Sequence, residues 1–270
     1  DPLRPATLYT FGGEVLNKST DAGLTWQRID FFPPPQNSVS NLITSLVIDP
    51  KTPDTLYLGN LLSIPQPGAI ESQAQDGLPR TAMAKSTDGG ASWTPIDFGQ
   101  PVRDVNCLAI DPLAPSTIYA GTAVNGLLKS TDGGASWMSL TAGSFFSVRR
   151  LAIDPQTSAT LYLIPLIGQI DKSTNGGATW SPTSLQRPGL LDLAIDPQTP
   201  STLFAYNFEG LYKTTDGGAS WGNTLAGGFV TSVTLHPAAP SWPTGWSTAL
   251  CSLTSVTTCR RSGGAPAATP

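Results

Sequence analysis

Six positions carry charge in a pattern suited to gripping a ligand. Arg103 precedes Asp104, Arg149 precedes Arg150, and Arg187 lies five residues before Asp192. Guanidinium groups bind carboxylates and phosphates through paired N–H donors, which a point charge cannot do as specifically. Two carboxylates facing across a cleft would instead support glycoside hydrolysis. Asp104, Asp192, Glu71, Asp76 and Glu209 are the acidic candidates for that chemistry, and no pairing among them is legible. A nucleophilic triad is excluded in a simpler way. The chain has one histidine, His236, and it stands before a proline in a turn-like segment. No phosphate loop or dinucleotide motif is present. Cys107 lies in an apolar run and reads as a buried thiol. Cys251 and Cys259 are close enough in sequence to pair in an oxidising compartment, or to stay reduced. With no Cys-x-x-Cys, no metal and no cofactor are expected.

Composition narrows the class. Charged residues make up only 13% while Gly (27) and Pro (25) are abundant, which favours strands and tight turns over helices. The formal net charge of −4 offers no basic field for nucleic acid. No run of about 20 apolar residues is present, so no membrane insertion is expected. The chain begins at Asp1 without a basic-then-apolar leader and reads as a processed form or a fragment.

The elements that must position these residues are repeated. An octet Ser-Thr-Asp-Gly-Gly-Ala-Ser-Trp occurs at Ser86–Trp93 and Ser130–Trp137, with variants at Ser19–Trp26, Ser173–Trp180 and Thr214–Trp221. A second motif, Asp-Pro followed by Thr-(Leu/Ile)-(Tyr/Phe), starts at Asp1, Asp49, Asp111, Asp154 and Asp196, with His236-Pro237 as a sixth copy. Trp93, Trp137, Trp180 and Trp221 recur 44, 43 and 41 residues apart, the length of one four-stranded unit. In the third unit the pattern predicts strand A at Val105–Ile110, B at Thr117–Gly121, C at Gly126–Ser130 and D from Trp137 to Leu140. The Asp-Gly-Gly segment between C and D is a hairpin turn, where glycine supplies positive φ.

The octet resembles the Asp-box, or BNR repeat, of sialidases, xyloglucanases, sortilin-type receptors and photosystem II assembly factors. With its companion motif the resemblance covers about residues 1–240. It implies an all-β fold: a β-propeller of four-stranded antiparallel blades with a box at each C–D hairpin. Five or six blades are expected, or a truncated seven-bladed ring. Units start near 1, 49, 111, 154, 196 and 236, and residues 241–270 form a divergent tail or an incomplete last blade. Phe229–Leu235 is another strand A, which either closes the first blade or opens a sixth. The loss of the repeat after His236 reads as real divergence, a frame error or a truncated gene, and Ser262–Pro270 reads as disordered.

Asp21, Asp88, Asp132, Asn175 and Asp216 are expected to be turn staples, with calcium ligation as the sharper alternative for the carboxylates. Trp26, Trp93, Trp137, Trp180 and Trp221 are expected to hold the blades, the last four largely buried. Repetition argues against catalysis at these positions, since one active site needs its residues once. In this strand order the B–C and D–A loops share the face opposite the boxes. That face holds the longest departures from the repeat, at residues 31–40 and 61–81, the latter carrying Glu71, Asp76 and Arg80. Arg103, Asp104, Arg149, Arg150, Arg187 and Asp192 are expected at the mouth of the central channel. The arginines resemble the sialidase cluster that clamps a carboxylate, but the Arg-Ile-Pro signature is missing. Tyr9, Tyr57, Tyr119 and Tyr162 fill a repeated packing position. The leading expectation is a non-catalytic binding or assembly module, extracellular or periplasmic, that holds a protein or carbohydrate ligand. The alternative is a glycoside hydrolase, xyloglucanase-like or sialidase-like, or a remnant of one.

Overall fold

The computed structural model describes residues 1–29, 40–63, 82–102, 104–140, 147–226, 230, 232–235 and 248–251. These residues form 21 strands and no helix. The first sheet has three strands, β1 (Leu8–Gly12), β2 (Val15–Ser19) and β3 (Gln27–Ile29). Four four-stranded antiparallel sheets follow. They are β4 (Ser40–Ile48), β5 (Leu56–Ser63), β6 (Met83–Ser86) and β7 (Thr94–Pro95); then β8 (Val105–Ile110), β9 (Ile118–Thr122), β10 (Leu127–Ser130) and β11 (Met138–Ser139). The next is β12 (Val148–Ile153), β13 (Leu161–Pro165), β14 (Asp171–Ser173) and β15 (Ser181–Pro182). The last of the four is β16 (Asp192–Ile195), β17 (Leu203–Asn207), β18 (Gly210–Thr214) and β19 (Gly222–Ala226). Each runs A-B-C-D in chain order, and the first sheet supplies B, C and D. Strand β20 (Ser232–Leu235) pairs with β21 (Thr248–Cys251) and so opens a further sheet. The fold is a β-propeller, and five of its blades carry an octet hairpin.

Successive inner strands pack against one another, from β4 to β8, β12, β16 and β20. Apolar residues fill the seams between blades. Between blades 2 and 3 the cluster includes Met83, Phe98, Val105 and Leu128. Between blades 3 and 4 it includes Cys107, Tyr119, Leu127, Val148 and Leu163. Between blades 4 and 5 it includes Ile164, Ile170, Leu193 and Leu203. Each such side chain stabilises the fold by roughly 1.5–3 kcal/mol when fully buried. Strand B is sandwiched on both faces, so β9, β13 and β17 are buried at every residue. The seam is tight at Gly121, where a Cβ would lie 2.5 Å from Cys107 Sγ and 2.6 Å from Val148.

The octets build one turn five times. In blade 3, Ser130 Oγ donates to Asp132 Oδ1 (2.7 Å) and accepts from Gly134 N–H (2.9 Å). Asp132 Oδ1 also accepts from Ser136 N–H (2.9 Å), and its Oδ2 from the Ser136 hydroxyl. Both carboxylate oxygens are thereby engaged inside the turn. Asn175 makes the same pattern with its carbonyl and amide groups. Gly133 and Gly134 take φ of 71° and 90°, values an L side chain resists. In blade 1 the first glycine is replaced by Ala22, which is held at φ 58°.

Four of the five turns are also latched to the blade before them. Tyr57 OH and Lys85 Nζ both donate to the carbonyl of Gly133, each at 3.0 Å. Tyr9 with Lys18 does so at Gly89, Tyr119 with Lys129 at Gly176, and Tyr162 with Lys172 at Gly217. Each lysine lies over its tyrosine ring, 5.1–5.5 Å from the centroid. In blade 5 the tyrosine position is Phe204, under Lys213.

Trp93, Trp137, Trp180 and Trp221 are largely buried, each with a minor part of its surface in solvent, whereas Trp26 is 45% exposed. The residual exposure follows from position: strand D is the outermost strand, so an indole there covers the rim of a seam cluster rather than its centre. The indole N–H of Trp93, Trp137 and Trp180 donates to the second glycine of its own turn at 3.0–3.2 Å.

Candidate functional site

The octet turns and the A–B turns share one face. Gly133 N–H donates to Ser116 O, and the equivalent bond recurs at Gly89, Gly176 and Gly217. The A–B turns are held by their aspartates: Asp49 Oδ1 accepts from Lys51 and Thr52 N–H, at 2.8 and 3.0 Å. The opposite face carries the starts of the inner strands and the B–C loops, and there the blades stop resembling one another.

Three inner strands enter this face through a β-bulge, at Thr44, Asn106 and Arg149. A bulge re-aims its side chain and interrupts the ladder. The Thr44 hydroxyl donates to the carbonyl of Val105, and Asn106 Nδ2 to that of Val148 (2.9 Å), so each hooks the next inner strand. Arg149 holds the same place in blade 4 but makes no hook, and its buried Nε has no acceptor among the described residues. The repeat alone did not indicate this bulge, because apolar residues surround it in every unit.

One residue on, Ser45, Cys107, Arg150 and Asp192 occupy equivalent places in successive blades. Ser45 Oγ accepts from Leu108 N–H at 3.1 Å. Arg150 Nε lies 3.4 Å from Asp192 Oδ2, both side chains 40% exposed, and Asp192 Oδ1 accepts from Leu193 N–H (2.8 Å). A half-exposed pair of this kind contributes about 1 kcal/mol or less. It also occupies the carboxylate that a hydrolytic role would need free. Burial pushes the Cys107 thiol up to about 12, so it is a poor nucleophile. Burial, then the Asp192 charge, raises Tyr206 as well, the reverse of an activated phenolate.

The other sequence candidates are dispersed. Asp104 pairs through its backbone with Leu61, at the foot of the blade 2 loop. The Arg187 guanidinium lies over the Tyr212 ring, 5.8 Å from its centroid. Arg103, Glu71, Asp76 and Arg80 lie outside the described residues, as do residues 31–39, Cys259 and the segment after residue 251. Among the described residues no group of three or more His, Cys, Asp or Glu is placed to hold a metal ion.

Sequence singled out the long B–C loop of blade 2 but not the short B–C tips of blades 3 to 5, yet these three in succession expose apolar side chains. They are Val124 in blade 3, Leu166 and Ile167 in blade 4, and Phe208 in blade 5, with Ile167 90% exposed. Two of these turns are braced from within. Thr122 Oγ1 donates to Gly126 O and accepts from Asn125 N–H, and Asn207 Oδ1 accepts from Glu209 and Gly210 N–H. The bracing holds Val124 and Phe208 outward.

No family model matches the chain, and no curated protein matches it. Solved structures do resemble it. A GH74 enzyme from Niastella koreensis superposes with a TM-score of 0.62 at 19% identity, over 84% of this chain and 37% of that one. An ancestral GH74 enzyme gives 0.65 at 20% identity, over 88% and 32%. A chain of a nidogen/laminin complex gives 0.59 at 15% identity, over 85% and 82%. This chain therefore spans about a third of the length of the GH74 enzymes. Likeness at these identities establishes the β-propeller fold.

Proposed function

We propose that the protein is an Asp-box propeller that binds a ligand without catalysis, using the loop face to hold a protein or a glycan. The observation that carries this reading is the run of exposed apolar residues on three successive B–C tips, Val124, Ile167 and Phe208. Exposed apolar groups grouped on one face, on a rigid scaffold, are the usual mark of an interaction site. Five of the seven tryptophans belong to octets on the other face, so the described part of the loop face has no indole platform for a sugar ring. That favours a protein among the two ligand classes. The composition suits a protein working outside the cytoplasm, and no helix among the described residues is long and apolar enough to cross a membrane.

A second reading, a glycoside hydrolase, draws on the likeness to GH74 enzymes. It requires a free carboxylate facing a second one about 5–10 Å away. Asp192 is engaged by Arg150, so the acids would have to come from elsewhere on the face. A screen of glycan and protein ligands, run beside chromogenic glycosides and xyloglucan, separates the readings. Binding without turnover, lost in Ile167→Ser, is the expected result. Turnover abolished by Asp192→Ala or Asp104→Ala would overturn it.

A further inference from the structure

Asp171 is out of place in its blade. It opens β14 opposite Leu163, where the ladder puts Ala84 in blade 2, Leu128 in blade 3 and Tyr212 in blade 5. Directly opposed residues share a face of the sheet. Asp171 therefore lies on the Leu163 side, toward the seam between blades 3 and 4. It is only 7% exposed and has no hydrogen bond or ion pair among the described residues. Its neighbours are Leu163 from β13 and Pro182 from β15. The same seam receives Cys107, Tyr119, Leu127 and Leu140 from blade 3. Cys107 and Tyr119 are the titratable members of that group, and neither brings a positive charge. Arg150, which acts on Cys107, is paired with Asp192, and Lys172 is latched to Gly217 on the other face of the strand. Residues 141–146, between β11 and β12 in sequence, contain no ionisable side chain.

We propose that Asp171 is a pH-sensitive catch on the seam between the third and fourth blades: the neutral acid lets the apolar seam close, and the carboxylate loosens it. An apolar surrounding disfavours the charged form, and burial alone pushes this carboxyl up to about 6. An aspartate in the unfolded chain titrates near 3.9. The Asp171 contribution to seam stability is therefore greatest below about pH 4, falls as pH rises to about 6, and stays low above that. Asp171 follows directly on the loop that presents Leu166 and Ile167, so loosening the seam also frees that tip of the loop face.

The test is hydrogen exchange of β13 and β14 amides at pH 5 and 7.5, corrected for intrinsic exchange. Between the open-state and closed-state titrations, every pH step of one changes the opening equilibrium about tenfold, so opening should rise about tenfold in the wild type at the higher pH. Asp171→Asn, which cannot ionise, should show equal protection at both. A flat wild-type profile, or the same rise in Asp171→Asn, would overturn the proposal. Where Asp171→Asn does not fold, Asp171→Leu replaces it. A carboxyl carbon titration of wild-type Asp171 by NMR gives a second check: a midpoint below about pH 4.5 overturns the catch, and one near 6 supports it.

Discussion

The two faces of this propeller are made by the same repeat and behave oppositely. On the octet face the blades are near copies. Serine, aspartate, glycine and a latch from the preceding blade recur, and both oxygens of each octet carboxylate have partners. On the loop face, equivalent positions hold Ser45, Cys107, Arg150 and Asp192, and equivalent bulges hold Thr44, Asn106 and Arg149. There a buried guanidinium nitrogen lacks an acceptor among the described residues, and apolar tips meet solvent. On the octet face of blade 5 the buried indole N–H of Trp221 lacks, among the described residues, the partner its counterparts have, but the octet carboxylates are engaged throughout. Uniform, largely satisfied chemistry is what a joint needs. Varied chemistry with unmet groups is what a binding surface needs, because a ligand supplies the missing partners.

Acid should break the octet face most completely. Hydrogen bonds from the neighbouring serine or threonine hydroxyls and backbone hold Asp21 and Asp88 down to about 2, and lower Asp132 and Asp216 likewise. These depressed carboxylates stabilise the fold above the unfolded value near 3.9, and that stability is lost as pH falls through their folded values. Far-UV circular dichroism against pH should show unfolding between about pH 4 and 2. Asp132→Asn should flatten part of that transition, since Asn175 shows that an amide serves in the same turn. A transition unaltered by replacing these residues would remove the octets from the joint.

The tryptophan on the same face comes next. Trp137 packs 4.8 Å from the Phe98 ring and donates to Gly134 O. Trp137→Ala should cost about 2–3 kcal/mol in urea unfolding, below the range for a fully buried indole because this one keeps part of its surface in water. Trp26→Ala, at an exposed ring, should cost about 1 kcal/mol or less. Equal losses at the two sites would mean that burial does not set the strength of the joint. Removing one latch hydroxyl is a finer cut: Tyr57→Phe should lower stability by about 1 kcal/mol. Phe204 already stands at that position in blade 5, so the ring alone is tolerated there. Ala22→Gly should act in the opposite direction. It releases a residue held at φ 58° and should stabilise the protein by about 0.5–1 kcal/mol.

The same contrast explains what was legible in the sequence. Strand A of blade 3, at Val105–Ile110, was readable to the residue, and its B and C strands to within one, because apolar runs and glycine turns are local signals. The latch lysines were not read, although Lys85, Lys129 and Lys172 each precede the octet serine. Their acceptor is in the next blade, and periodicity carries no information about which neighbour a side chain meets. The mouth was harder still. Arg150 and Asp192 were named separately, and only the packing of β12 beside β16 makes them a pair. Arg187 is expected at the channel mouth by its place in the unit, and its position over the Tyr212 ring has no local signal in the sequence.

Ile167→Ser is the smallest effect on stability and the sharpest test of the comparison. Ile167 is 90% exposed, on a tip whose loop is joined to the inner strand by Leu166 N–H to Ser147 O. Little apolar contact is lost when it is replaced, so unfolding should shift by no more than about 0.5 kcal/mol. An isoleucine gains by leaving water, and here the fold provides it nothing to leave water for. On the proposed binding reading its contribution belongs to the bound state. Ligand capture should fall at least about tenfold in Ile167→Ser with the urea midpoint unchanged, and to a similar degree in Phe208→Ser. Trp137→Ala, measured at a temperature where it remains folded, should bind normally. A loss of stability without a loss of binding at Ile167 would mean that the two faces share one role, and the division drawn between them would fail.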